Sequence, residues 1–182
     1  MTLIIIIAVV LALILYFIIE YNGLIKMSNM VREAFSTMDV YLKKRWDLVP
    51  NLVETVKGYA AHEKEVLEKV AELRSASYDK LSNEEKITTN EQLGEGIASL
   101  FAVAENYPEL RASKGFSDLQ AQLARIEDEI AQSRKYYNAV VKNMNNKVEM
   151  FPSNLVAKMF NFDREKMFEA GADERESVKV DM

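Results

Sequence analysis

The sequence predicts an all-α protein: an N-terminal transmembrane helix followed by an antiparallel up-down bundle of about four helices. Three observations predict it. Residues Leu3 to Ile19 run without a charge and with Tyr16 as their one polar tip. Beyond them, apolar residues recur at three- and four-residue spacing, which lines one face of a helix. Punctuation is sparse, with 3 prolines and 6 glycines in 182 residues, and no segment alternates with the period of a strand.

The apolar segment comes first. At the helical rise Leu3 to Ile19 spans roughly 25 Å, slightly less than the roughly 30 Å hydrocarbon core. Tyr16, Tyr21 and Lys26 are suited to the interface and make up the difference. A cleaved signal peptide would carry a basic n-region and a small-residue cleavage site after the run; here the run ends Phe17-Ile18-Ile19-Glu20. A lipoprotein signal requires a cysteine, and the chain has none. Lys26, Arg32, Lys43, Lys44 and Arg45 follow the segment, so the positive-inside tendency favours a short external N-terminus and a cytoplasmic bundle. The expected organisation is an anchor at 1–22, a bundle at 23–170 and a charged, disordered tail at 171–182.

Within the bundle, Leu24, Met27, Val31, Ala34, Met38 and Leu42 form the first stripe. A kink or break is expected near Val49, because proline disfavours helical geometry in the residue before it. A second stripe then carries Leu52, Val56, Tyr59, Val66, Val70 and Leu73. Residues 77–91 are polar and read as a loop with one short helical turn, although Ser82-Asn83-Glu84-Glu85 is a capping signal. A shorter helix carries Leu93, Ile97, Leu100 and Ala104 and stops at Tyr107-Pro108. The longest stripe runs Phe116, Leu119, Leu123, Ile126, Ile130, Tyr137, Val140, Met144, Val148 and Phe151, with Ser117 and Gln120 as its capping box. Such sustained spacing is coiled-coil-like and marks a long helix in a bundle. Pro152 ends it, a short helix around Asn154 to Phe160 follows, and Asp163 caps a last turn to Phe168.

The chemistry-bearing residues are few. A di-iron carboxylate bundle needs paired Glu-x-x-His motifs, whereas the chain has one histidine, His62, preceded at the required position by Tyr59. His62 reads as a solvated residue. Zinc held by histidines or cysteines within one chain is excluded. Gly94 and Gly96 lack the strand a phosphate loop requires and read as flexibility or close helix packing. The net charge of −5 is spread evenly, leaving no basic face for nucleic acid. Two polar clusters lie beside the apolar stripes. One is Asp39, Lys43, Arg45, Asp47 and Asn51; the other is Glu127, Arg134, Tyr137, Asn138, Asn145 and Asn146. They read as solvated faces and interhelical hydrogen bonds that fix register, Asn145 and Asn146 above all, with a docking surface as the alternative. No catalytic, cofactor-binding or metal residue is assigned, and the chain is read as non-enzymatic.

The residues also carry a resemblance. Tyr21-Asn22 directly after the anchor, the run from Asp39-Val40-Tyr41-Leu42-Lys43-Lys44-Arg45-Trp46-Asp47-Leu48-Val49-Pro50-Asn51-Leu52 through His62-Glu63, the block Ala104-Glu105-Asn106-Tyr107-Pro108-Glu109-Leu110-Arg111-Ala112, and Arg134-Lys135-Tyr136-Tyr137-Asn138 with Asn145 and Phe151-Pro152-Ser153 resemble the LemA family. The similarity covers about residues 20 to 170, and residues 76–99 are its variable part. It implies a bacterial inner- or cytoplasmic-membrane protein with an antiparallel helical bundle and implies no reaction. Members of the family are associated with envelope and membrane-stress contexts, sometimes near a membrane metalloprotease, and relatives take part in organising magnetosome membranes. The expectation is a scaffold held in the membrane by Leu3 to Ile19, binding a protein partner near the bilayer such as an envelope-stress component. The alternative is a lipid-contacting or self-associating protein that organises membrane.

Overall fold

The computed structural model describes residues 1–168, so the tail expected at 171–182 lies outside the described residues. The described chain is helical, with six α-helices: α1 (Thr2–Lys57), α2 (Lys64–Leu73), α3 (Asn83–Ala104), α4 (Pro108–Ala112), α5 (Lys114–Glu149) and α6 (Ser153–Met159), plus a 3-10 turn at Tyr78–Lys80. No strand occurs among them. The all-α class read from the sequence is the class observed. The chain forms two compact units, and α1 and α5 each contribute to both. Unit 1 comprises Met1–Thr37 with Ser133–Met167, and unit 2 comprises Met38–Gln132 with Phe168.

Unit 2 is an up-down bundle of four segments. From α1 come Met38, Leu42, Trp46, Val49, Leu52 and Val56; α2 adds Leu67 and Val70; α3 adds Ile87, Leu93, Ile97 and Leu100; α5 adds Phe116, Leu123 and Ile130, all buried. Contacts give the directions. Asp39 pairs with Lys86 and Arg45 with Asn90, so α1 and α3 run the same way. Gly96 packs on Val70 while Tyr107 reaches Glu63, so α2 opposes α3. Phe101 meets Phe116 at 5.8 Å across the turn built by α4, which sends α5 back.

Unit 1 pairs the first part of α1 with the last part of α5. Phe35 lies 5.9 Å from Tyr137 and Glu20 3.0 Å from Lys147, so the two are antiparallel. Leu24, Val31, Ala34 and Phe35 are buried against Tyr137, Val140, Val141 and Met144, with Val156 and Ala157 of α6 completing the core. Residues 3–15 are exposed throughout. An 18-residue window of α1 has a mean hydropathy of 3.3, and the helix is long and apolar enough to cross a membrane.

Several expected boundaries are corrected. Of the kink or break expected near Val49, the break does not occur: Pro50 lies inside α1, which continues to Lys57. An internal proline costs about 3 kcal/mol through a missing hydrogen bond and a ring clash. Burying Trp46, Val49, Leu52 and Val56 around it returns roughly 1.5–3 kcal/mol each, so packing wins. The break falls instead after Lys57, at exposed Gly58, where Tyr59 and Ala60 both donate to Val56 O and Ala60 is buried. The second stripe is therefore divided between α1 and α2, and Tyr59, expected within it, lies between the two helices and is exposed. Residues 83–91, read as loop, belong to α3, whose start is the complete Ser82–Glu85 capping box. Helix α5 begins at Lys114 rather than near Ser117, and its first turn is held by Ser113 Oγ accepting from Phe116 N. The end at Pro152 and the short helix after it are as expected, but Phe151 is exposed and the turn expected from Asp163 to Phe168 is not helical.

Gly96 is buried, and a Cβ there would sit 2.8 Å from Val70 Cγ2, whereas one at Gly94 would make an ordinary 3.5 Å contact with Arg45 Nη1. Valine is stiff at χ1 and cannot yield. Gly94→Ala should therefore stabilise by up to about 1 kcal/mol through helix propensity. Gly96→Ala should lose roughly 1 kcal/mol, since overpacking at about 1–3 kcal/mol exceeds the same gain. Thermal unfolding of the two variants gives the contrast, and two shifts of the same sign would contradict it.

Candidate functional site

The polar residues singled out in the sequence fall into two constellations, one in each unit. In unit 2 the centre is Arg45, whose residue is 5% exposed despite its permanent charge. Its Nη1 donates to both carboxylate oxygens of Glu127 at 2.8 and 2.9 Å. Its Nη2 donates to the Asn90 carbonyl and, at 3.1 Å, to Asn90 Oδ1. Asn90 Nδ2 in turn donates to Lys86 O. One guanidinium thus ties α1 to α3 and α5, with its donors directed into the protein rather than toward a ligand.

About a turn and a half earlier on α1, Asp39 accepts from Tyr78 Oη at 2.6 Å and from Lys86 Nζ at 2.9 Å. Burial first, then the Asp39 hydrogen bond and charge, push the Tyr78 hydroxyl far above the ordinary tyrosine range, so it remains a donor. The Tyr78 ring lies 5.3 Å from that of Trp46, and the Arg74 guanidinium covers Trp46 at 5.2 Å. Tyr78 also has Lys86 over it at 4.8 Å. Cations on aromatic faces, partly desolvated, close the outside of this core.

In unit 1 the second constellation binds a non-helical strap, residues 162–167, to α5. Asn145 clamps it at two points: Nδ2 donates to Glu165 O at 2.9 Å and Oδ1 accepts from Glu165 N at 2.8 Å. Tyr137 Oη donates to Lys166 O at 3.0 Å. Burial, and then the charge of Glu165, push the Tyr137 hydroxyl up to about 12, so it too stays protonated and donating. The strap begins at Asn161, with φ of 55°, where Phe162 N donates to Ala157 O and closes the end of α6. Asparagine is among the few residues that take this left-handed geometry readily.

The expectation for the amides is therefore corrected. Asn145 bonds the strap rather than another helix, and Asn146 is exposed. Of the first cluster, Lys43 and Asp47 form an i,i+4 surface pair and Asn51 is exposed, while Arg45 and Asp39 are the residues that organise the core. His62 is exposed. Among the described residues no three histidine, cysteine, aspartate or glutamate side chains are grouped to hold a metal ion. Sequence reasoning missed Asn90, Tyr78 and Lys86. Asn90 was visible as a polar residue in phase with Ile87, Leu93 and Ile97; Tyr78 stood as a lone aromatic in a polar run.

Among the described residues the fold is that of a helical-bundle protein with an apolar leading helix, braced by polar struts that pair within the protein. The chain belongs to the LemA family, whose model matches residues 34–182. It is 28% identical to "Protein LemA" of Metamycoplasma hominis, over 86% of this chain and 72% of that protein. It is 24% identical to "Magnetosome protein MamQ 2" of Paramagnetospirillum magneticum, over 88% and 68% of the two chains. To "Magnetosome protein MamQ" of Magnetospirillum gryphiswaldense it is 22% identical, over 83% and 65%.

Trp46 is the single tryptophan and stands one residue from Arg45, which makes its fluorescence a direct report on this core. Arg45→Ala should lower the unfolding free energy by about 3 kcal/mol, since it strips partners from Asn90 and Glu127 and removes buried stem packing. Arg45→Lys should recover little of that, because an ammonium cannot span a carboxylate and an amide on different helices. Urea unfolding of the detergent-solubilised full chain measures both. A lysine variant as stable as the parent would contradict the strut.

Proposed function

We propose that this protein is a membrane-anchored, non-enzymatic helical scaffold of the bacterial cell envelope. In this reading Leu3 to Ile19 span the cytoplasmic membrane and the two units present surfaces to a protein partner close to the bilayer. The observation that carries the reading is the change of character along one helix. Residues 3–15 of α1 are apolar on every side and exposed, while from Leu24 onward the same helix buries one face. A helix apolar all round has no soluble environment to match it unless it is a core or a membrane span. Here the share of the apolar window buried in the protein is 0%.

Family membership and relatives in bacteria support the envelope setting, and two of those relatives are named as magnetosome proteins. The cations after the span, beginning with Lys26 and Arg32, favour a cytoplasmic bundle. The pairing of Arg45, Asp39 and Asn145 with groups of the protein itself favours a structural role for them over catalysis, because a general acid, base or nucleophile must reach a substrate.

Two measurements test the reading. Leu11→Arg with Ile14→Arg, at about 2.5–3.5 kcal/mol per charge near the bilayer centre, should move the chain out of the carbonate-resistant membrane fraction. Crosslinking of the parent chain in native membranes, followed by mass spectrometry, should recover one reproducible partner that is lost in this variant. Retention of the double variant in the membrane would remove the anchor; recovery of lipids and abundant bystanders alone would remove the scaffold.

A further inference from the structure

Beyond Ile19 the described residues include eight exposed large apolar side chains, and five of them fall within eleven residues: Met150, Phe151, Leu155, Met159 and Phe160. The other three, Val40, Tyr59 and Tyr136, are scattered. Single exposed apolar residues are ordinary, but a contiguous patch marks a contact surface. Phe151 is 77% exposed and Met150 61%, at the turn between α5 and α6. In α6, Leu155 and Met159 stand one turn apart on the outer face, while Val156 and Ala157 face the core.

The place of this patch within unit 1 identifies its occupant. Helix α5 runs antiparallel to α1 and pairs Lys147 with Glu20. Two residues later, at Glu149, it has advanced about 3 Å further in the direction of the α1 N-terminus. At the other end of the segment, Phe160 packs on Tyr21 with ring centroids 4.6 Å apart and the rings tilted by 55°. Met150 to Met159 are thus fastened to α1 at Glu20 and Tyr21, level with the end of the apolar run. Tyr16 and Phe17 agree with this level: they are half-covered, whereas residues 3–15 are exposed.

We propose that Met150, Phe151, Leu155 and Met159 form a second, interfacial membrane contact, inserted into the headgroup boundary of the same bilayer that α1 spans. The proposal rests on the anchored reading and adds to it which part of the folded unit touches lipid. A span of roughly 25 Å is short for a roughly 30 Å core. An apolar wedge at its end covers hydrocarbon where the span falls short. Recognition is by apolar area rather than by a basic cluster: the cations beside the patch are Lys158 on α6, Arg164 paired with Glu149 at 2.8 Å and Lys147 paired with Glu20, short of the about four to eight that an anionic-lipid site needs. Insertion therefore occurs in zwitterionic lipid and is insensitive to salt.

The cysteine-free chain suits a labelling test. Phe151→Cys, Leu155→Cys, Ile7→Cys and Ala139→Cys, the last an exposed site on α5, are each labelled with an environment-sensitive fluorophore. The full-length protein is placed in phosphatidylcholine vesicles carrying nitroxide near the headgroup or deep in the chains, with iodide as the aqueous quencher. Labels at 151 and 155 should be quenched several-fold more by the shallow nitroxide than the label at 139, and shielded from iodide; the label at 7 should respond to the deep nitroxide. Labels at 151 and 155 that match 139 while 7 is quenched overturn the proposal and leave the anchor standing. Shielding from iodide without nitroxide quenching, the signature of a second copy or protein partner, overturns it too. Should 7 itself escape the deep nitroxide, the anchored reading fails and this one with it.

Discussion

In the proposed anchored reading, helix α1 must satisfy two environments without interruption, and this constraint governs the rest of the structure. In a bilayer every backbone group has to be bonded within the segment, which makes the first residues helical whatever their propensities. A run rich in isoleucine and valine would otherwise be a mediocre helix former. Once past Glu20 the same helix needs partners for a one-sided stripe, and α5 and α6 supply them in unit 1. The transition is marked by Gly23, where a Cβ would collide with the Lys147 ammonium as it reaches Glu20. A helix that broke at this point would leave Leu24 and Val31 without a fixed register against α5.

In unit 2 the same helix is held by electrostatics as well as by packing. Apolar stripes specify that helices associate but tolerate sliding by a turn. Arg45 removes that freedom, because a planar fork aimed at Glu127 and Asn90 fits one alignment of α1 with α3 and α5. Asp39, bound by Tyr78 and Lys86, repeats the device a turn and a half earlier. Buried ionic groups are weak sources of net stability, and their best-attested contribution is to register. Close packing of Gly96 on Val70 then fixes the spacing of α2 and α3.

The legibility of these features in the sequence follows from their range. The all-α class, the membrane-length segment, the α1 stripe and the long α5 stripe were readable because each depends on periodicity within one segment. Ser82–Glu85 was readable as a cap, yet the polar residues after it disguised the first turns of α3. Pro50 misled for the opposite reason: the local rule is sound, but burial of Val49 and Leu52 overrides it. Arg45 was visible as a charge beside the stripe; its partners, 45 and 82 residues away, were not. Asn145 was legible as a hydrogen-bonding amide beside the stripe, while its partner is a strap of backbone with no sequence signal.

The central claim is that α1 passes from a membrane environment into the packed unit as one unbroken helix. Nitroxide scanning of residues 12 to 34 in the vesicle-reconstituted full chain tests it most directly. The account predicts oxygen accessibility that is high on all sides through Leu15, then oscillates with the 3.6-residue helical period from Tyr16 through Ala34, with no rise in mobility at Asn22 and Gly23. A mobile, non-periodic stretch at Tyr21 to Gly23 would contradict it, turning the anchor into a flexible tether.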